Sequence, residues 1–471
     1  MEDSDASDSE VSELSDLSWT EAKDELEVEA FTDNEELVRD TTEAQLRRGK
    51  DIQGIPWELT QYTRSAYRAV RDAQYRNYYN LEDEVQQAQQ HINSEAVKVL
   101  PASPPYFDFY RNWRSLRSTI VHFQLRNLLW ATSAHDLYAV FENSVIHWDT
   151  VTRRKTTVMD VSGGVTGAMA PNLGAIQVCT LCAREGLVAA GGFGGELVAR
   201  RVGDDQPFAC SMRVTTSENG ITNAIEIART SAGQLRVICS NNDCVVRLLD
   251  AETFRIVGQD SASVSVVTGW MGREQRATRC GSGGAAVTIV LATCSVPCPW
   301  AVNYTVVQPG GGKLMASVGD DPVAIVYDGS SGARVLELAG HSDYSFAAAW
   351  HPDGNVVATG NQDMTTRLWD IRNPSRSLAL LRAHIGGVRS LRFSPCGRFL
   401  AAAEPADYVS LYDAAQGYRR RQDVDVFGEL AGIAFTPDGQ RLFVGVSDVH
   451  YSSVLQFDRH RDRELLLGEW L

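Results

Sequence analysis

The chain has 471 residues and a formal net charge of −16, from 44 Lys and Arg against 60 Asp and Glu. Residues 1–43 alone hold 17 acids against Lys23 and Arg39, so the remainder is close to neutral and lacks the basic surplus of a general nucleic-acid binder. Nine cysteines in so long a chain, with no apolar leader after Met1-Glu2-Asp3, point to a reduced compartment, cytoplasmic or nuclear, and no apolar run reaches the ~18 residues of a membrane span.

Residues 1–50 are acidic, serine-rich and poor in aromatics, a composition that cannot bury enough surface to offset its ordering entropy, so a disordered tail is expected. Ser7, Ser18 and Thr32 each precede Glu by three residues, the context that acidophilic kinases accept, and are candidate phosphorylation sites. Residues 51–105 read as a helical extension and linker. Pro56 and Trp57 form an anchoring turn, and a helix begins near Thr60, with Thr60 or Thr63 as its N-cap. Tyr67, Arg71, Tyr75 and Tyr78 fall on one face at helical spacing, a stripe suited to docking on the chain's own domain. Arg64, Arg68 and Arg76 admit a second reading, in which this face and Arg111–Arg117 serve an RNA- or chromatin-associated module. Glu82–Asn93 continues as a Gln-rich helix, and Pro101, Pro104 and Pro105 mark a linker.

Repeats dominate residues 106–471. Gly340–Asp370 reads GHSDYSFAAAWHPDGNVVATGNQDMTTRLWD, three strand-like runs between turn signals. Pro309, Pro352, Pro395 and Pro437 each follow a strand and precede a glycine, at spacings of 43, 43 and 42 residues. The Gly340–Asp370 stretch resembles a WD repeat, one four-stranded blade of a β-propeller. That resemblance implies a structural relay of His341, Thr359, Asp363 and Trp369, which would satisfy a buried indole and imidazole. The fold class expected is all-β, a seven-bladed WD-repeat β-propeller. Its units would be Asn127–Asp160, Ala175–Met212, Asn223–Gly258 and Ala301–Leu338, with three more on the proline period. Gly269–Pro299 fits no strand period and reads as an insertion before the fourth unit. Thr119–Leu125 would supply the missing strand of the seventh unit and remove an exposed sheet edge. The segments GIPWE, YTRSAYRAVRDAQYRNY and TIVHFQLRNLLWATSAHDLY resemble a little-characterised plant and fungal WD-repeat family. That likeness implies a propeller with an N-terminal extension and no defined reaction.

Cys179 and Cys182 have the spacing of half a zinc site without a second pair, and they lie in a strand, where residues three apart face opposite ways. Gly191–Gly195 is a turn rather than a phosphate loop, because no helix opening with Lys-Ser/Thr follows. Tyr418–Gln422 reads as a basic strand edge or surface loop. No catalytic set, metal site or cofactor is expected, which leaves binding. Val357–Arg372 resembles the box by which some WD proteins dock on the adaptor of cullin–RING ubiquitin ligases, with Asp370 and Arg372 as candidate docking residues. The expected function is therefore a non-catalytic protein-interaction scaffold or signalling adaptor, and the alternative is a ubiquitin-ligase substrate receptor. Partners would be other proteins, a ubiquitin-ligase adaptor among the candidates, rather than nucleic acid, with no membrane, on a monomeric propeller.

Overall fold

The computed structural model describes residues 40–80, 85–163, 165–167, 170–204, 206, 208–257 and 295–460. Blades 1 to 5 are four-stranded antiparallel sheets, opening at Leu129, Val178, Thr222, Val302 and Ser345. Blades 6 and 7 share one nine-stranded sheet. They are fused because the 16-residue strand Arg420–Phe435 serves both. Its first half pairs with Ala406–Asp413 as the outer strand of blade 6, and its second half pairs with Arg441–Ser447 as the inner strand of blade 7. Gly428 sits at the crossover with φ +126, a conformation that L side chains rarely adopt.

Blade 7 closes on an N-terminal strand, and that strand is Phe107–Trp113, paired antiparallel with Ser453–Arg459. The expectation of Thr119–Leu125 in this role is corrected. Phe107 and Phe109 point into the core while Asp108 and Tyr110 face out, the period-two pattern of a half-buried strand. Thr119–Leu125 belongs to no strand, and its Val121 and Phe123 are exposed. A second correction concerns the insertion expected at Gly269–Pro299. Residues 258–294 lie outside the described residues, and Ser295–Pro297 is the fourth strand of blade 3, paired with Val245–Arg247. Residue 50 is also too late a boundary for the tail. Thr41–Thr42 adds a further strand outside Arg111–Asn112, and Thr42 caps the short helix Glu43–Leu46. Ser7, Ser18 and Thr32 fall among residues 1–39, outside those described.

Several inner strands share one irregularity. Cys179, Asn223, Asn303 and Phe346 each sit at a register shift near the strand's start, and Ala431 at one where the shared strand enters blade 7. Such bulges re-aim a side chain, and here three of them reach the next blade. The Cys179 thiol donates to the Thr222 carbonyl at 3.2 Å, Asn223 Nδ2 to the Val302 carbonyl at 2.9 Å, and Asn303 Nδ2 to the Ser345 carbonyl at 3.1 Å. Asn127 Nδ2 donates to the Leu181 carbonyl in the same manner, at 3.1 Å. Polar stitches thus join neighbouring blades around the channel, while aliphatic clusters fill the space between their faces.

Candidate functional site

The relay residues of blade 5 form one buried chain of hydrogen bonds. Trp369 Nε1 donates to Thr359 Oγ1 at 2.8 Å, and Thr359 Oγ1 lies 2.8 Å from His341 Nε2. His341 Nδ1 stands 2.9 Å from the Asp363 carboxylate, which also accepts from Thr365 Oγ1 at 2.6 Å. The indole can only donate and the carboxylate can only accept, so the chain of bonds runs from Trp369 at one end to Asp363 at the other. Burial alone would raise the Asp363 carboxyl, but His341, Thr365 and the Ser342 N–H hold it below its ordinary value.

At the far end of the same strand, Arg372 is exposed and folded back on Asp370. Its Nε and Nη2 meet the two carboxylate oxygens at 2.9 and 2.7 Å. The Arg372 side chain and backbone N–H bring the Asp370 carboxyl down to about 2. Both candidate docking residues are therefore brought together at the rim, engaged with each other.

The opposite face, carrying the Asn361–Met364 turn, is crossed by the N-terminal extension. Gln53 is fully buried and exchanges two hydrogen bonds with the backbone of Phe427, at 2.8 and 2.6 Å. Trp57 packs on Phe427 and Tyr67 and donates to Asp51 at 3.0 Å. The helix occupies Arg64–Gln74, N-capped by Thr63, whose hydroxyl accepts from the Ala66 N–H. Its arginines, rather than its tyrosines, make the deepest contacts. Arg68 reaches the buried Asp407 at 2.9 Å, contacts Asp425, and lies 4.1 Å from the Phe427 ring centroid. Arg71 grips Asp407 through two bonds of 2.7 and 2.8 Å, and Arg64 holds Asp425 at 2.8 Å. Arg64, Arg68 and Arg71 thus recur at helical spacing on one face, a signal legible beside the tyrosine stripe. Tyr78 falls beyond the helix end. Within the second basic run, Arg114 is buried, donating to the carbonyls of Gln53 and His450.

Past this helix the chain crosses blades 5 and 6. Asn77 and Gln362 exchange bonds of 3.0 and 2.8 Å, and Asn80 Nδ2 donates to Asp343 at 2.6 Å. The expected Gln-rich continuation is a separate helix, Val85–Glu95, whose Glu95 pairs with Arg367 at 3.3 Å. Leu100–Pro101, expected as linker, runs parallel to Arg420–Arg421 along the edge of the shared sheet. The basic edge expected at Tyr418–Gln422 thereby receives a partner. A second crossing segment, His122–Arg126, meets the first where Gln124 donates to the Tyr78 hydroxyl.

The remaining sequence candidates are cysteines. Cys179 and Cys182 are fully buried, burial pushes both thiols up, and Cys182 sits in an apolar cluster. Among the described residues no group of three or more His, Cys, Asp or Glu is placed to hold a metal ion, and no helix is long and apolar enough to cross a membrane.

Comparison with known proteins follows the geometry. A family model described as WD domain, G-beta repeat, matches residues 332–370 and 375–412. Pre-mRNA-processing factor 19 homolog 2 of Arabidopsis thaliana is 32% identical over 142 residues, which is 29% of this chain and 26% of that protein. THO complex subunit 3 of Arabidopsis thaliana is 34% identical over 116 residues, covering 24% and 36%. Small ribosomal subunit protein RACK1 of Neurospora crassa is 31% identical over 143 residues, covering 29% and 45%. The chain therefore spans less than half the length of each of these relatives. A chain in the solved structure titled Crystal Structure of Mitotic Checkpoint Complex superposes with a TM-score of 0.54 at 16% identity, covering 74% of this chain and 91% of that one, a likeness of fold. The matched repeats fall within the ring of blades, so this chain carries WD repeats in a β-propeller fold.

Proposed function

We propose that this protein is a non-catalytic interaction scaffold of the cytoplasm or nucleus, and that its working surface is the face crossed by the N-terminal extension. One observation carries this reading. The two crossing segments bury their charged anchors but leave Tyr78 of the first, and Val121 and Phe123 at the second, exposed where they meet. Phe123 is 68% exposed and stacks on His122 at 5.2 Å. Apolar side chains grouped on a solvated face mark a protein-binding surface. The test is photo-crosslinking from position 123 in the intact protein, with Phe123→Ser as a binding control. A discrete partner that crosslinks from position 123 and is lost from Phe123→Ser supports the reading. Unaltered partner binding by that variant, with unaltered melting, removes it.

The ligase-receptor reading rests on the exposed Asp370–Arg372 pair at the opposite rim. A guanidinium there can exchange its carboxylate for an acidic or carbonyl group of an adaptor through charge-assisted bonds. Arg372→Ala should leave melting unchanged and abolish co-purification of the adaptor. Equal recovery from wild type and variant would reduce Val357–Arg372 to a blade strand. The nucleic-acid reading keeps only part of its basic set, since Arg64 and Arg68 are engaged by carboxylates of the same chain while Arg76 and Arg117 are exposed.

A further inference from the structure

An open groove between blades 1 and 2 takes no part in the scaffold reading. It holds about 350 Å³, within the ~300–1,000 Å³ typical of ligand sites. Tyr138, Val158, Leu187 and Val202 give it apolar surface, while Arg184, Arg200 and Arg201 bring guanidinium groups to it. Asp136 is the single carboxylate among the lining residues, and it is held by Ser133 at 2.6 Å and His147 at 2.7 Å.

Positive charge is in excess there. Arg184 is matched by Glu226 at 3.1 Å. Arg200, by contrast, donates to the carbonyls of Val158 at 2.6 Å and Asp204 at 3.3 Å, and Arg201 to that of Ala251 at 2.8 Å. Beside the groove, the outermost strand of blade 1, Arg154–Asp160, opens with exposed Arg154 and Lys155, and exposed Arg153 precedes it. Among the described residues no carboxylate forms an ion pair with Arg153, Arg154, Lys155, Arg200 or Arg201. This basic track leads back to where the chain enters the ring. Arg153 lies 5.8 Å from the Trp113 ring, Trp113 meets Trp148 of blade 1 edge to face at 5.9 Å, and Asp40 accepts the neighbouring Arg114 N–H at 3.0 Å.

We infer that this groove is the docking site of the chain's own acidic segment 21–37. Residues 1–39 carry 15 acids against Lys23 and Arg39, and Asp40 fixes their point of departure beside blade 1. The stretch between Glu29 and Asp40 reaches about 36 Å at ~3.3 Å per extended residue, against ~10 Å between packed sheets, so it spans one blade with length to spare. Glu25-Leu26-Glu27-Val28-Glu29 alternates; laid out as an extended strand, it turns Leu26 and Val28 to one side and three carboxylates to the other. That pattern complements apolar lining beside unmatched guanidinium groups, which bind carboxylates through charge-assisted bonds. Surface pairs of this kind add little to global stability, so the ring melts nearly alike with or without the docked segment. Held there, the segment shields the groove from other acidic peptides. The groove is distinct from the surface at Phe123 and does not depend on it.

Zero-length carbodiimide crosslinking of the dilute full chain, mapped by mass spectrometry, tests the assignment, because the lysines are few: Lys23, Lys50, Lys98, Lys155 and Lys313. Amides joining Lys155 to Glu25, Glu27 or Glu29 should form several-fold more often than those to Lys98 and Lys313, which are also exposed. They should fall to that background in about 1 M salt, where the Debye length is ~3 Å. Arg200→Gln combined with Arg201→Gln should bring the same fall without added salt. Should that variant fail to fold, Leu26→Asn combined with Val28→Asn decides instead, since it leaves the ring and every carboxylate intact and should also bring Lys155 down to background. Equal yields at Lys98, Lys155 and Lys313 in wild type, a Lys155 yield indifferent to either variant, or crosslinks found only between separate chains would each overturn the assignment.

Discussion

Trp369 and Thr359 are both without solvent contact, and the relay passes through the threonine hydroxyl. Thr359→Val keeps the shape but orphans the indole N–H and the His341 Nε2, each costing about 1–3 kcal/mol. Trp369→Ala removes a large fully buried side chain and should cost about 3–5 kcal/mol. Denaturant unfolding of the two variants checks both values, and a near-neutral result for either would contradict the buried relay. Glu404 supplies a pH dependence of definite sign. Its carboxylate accepts the N–H groups of His384, Ile385 and Gly386, each at 2.7 Å, yet burial outweighs them and pushes the carboxyl up to about 7. The folded state therefore keeps a proton that the unfolded chain releases near about pH 4.3. The stability this contributes is complete below about pH 4.3 and is lost as pH rises to about 7. Glu404→Gln should flatten unfolding free energy over that window relative to wild type; a parallel pH profile would refute the shift. The relay could be read from sequence because its four residues fall within one repeat.

At the scale of elements, the Arg64–Gln74 helix is held by charge inside a partly apolar socket. Asp407 is almost fully buried between Arg68 and Arg71 and also accepts the Gly428 N–H at 3.0 Å. Removing one partner of a buried pair costs about 3–5 kcal/mol, and the remaining arginine places Arg68→Ala near the lower end. The variant should free the extension, read as protease cleavage between Thr60 and Leu100 before global unfolding. Wild type in about 1 M salt should resist, because screening reaches shielded pairs poorly. Release of the wild-type extension by salt alone would show the pairs to be exposed. Sequence periodicity places this helix within a few residues and identifies Thr63 as a possible cap. It points to tyrosines as anchors because aromatic stripes usually dock by area. The socket opposite carries Asp407 and Asp425, acids on two paired strands of blade 6 that only the sheet brings together.

For the whole molecule, the ring is completed by residues that precede it, so its stability depends on where the N-terminus is cut. Seven units were countable because the proline period and the inner-strand pattern repeat. The closing strand escaped because two neighbouring segments, Phe107–Trp113 and Thr119–Leu125, both alternate, and alternation does not say which lies beside Ser453–Arg459. Three truncations separate the contributions. Removing residues 1–39 deletes nothing described as packed on the ring, and melting should stay within about 1 °C of the full chain, a shift worth under about 1 kcal/mol at this size. Removing residues 1–50 also takes Thr41, fully buried, and Asp40, whose carboxylate accepts the Arg114 N–H at 3.0 Å. It exposes the outer edge of Phe107–Trp113 and should lower melting by several degrees. Removing residues 1–113 takes the closing strand itself, with Phe107, Phe109 and Trp113 all buried. Blade 7 is then left with an open, apolar-flanked edge at Ser453–Arg459, a template for pairing between chains. That protein should elute as multimers or aggregate in size-exclusion chromatography, where the first truncation elutes as the full chain does. A stable species of unchanged association state, starting at residue 114, would mean that the ring closes without its N-terminal strand.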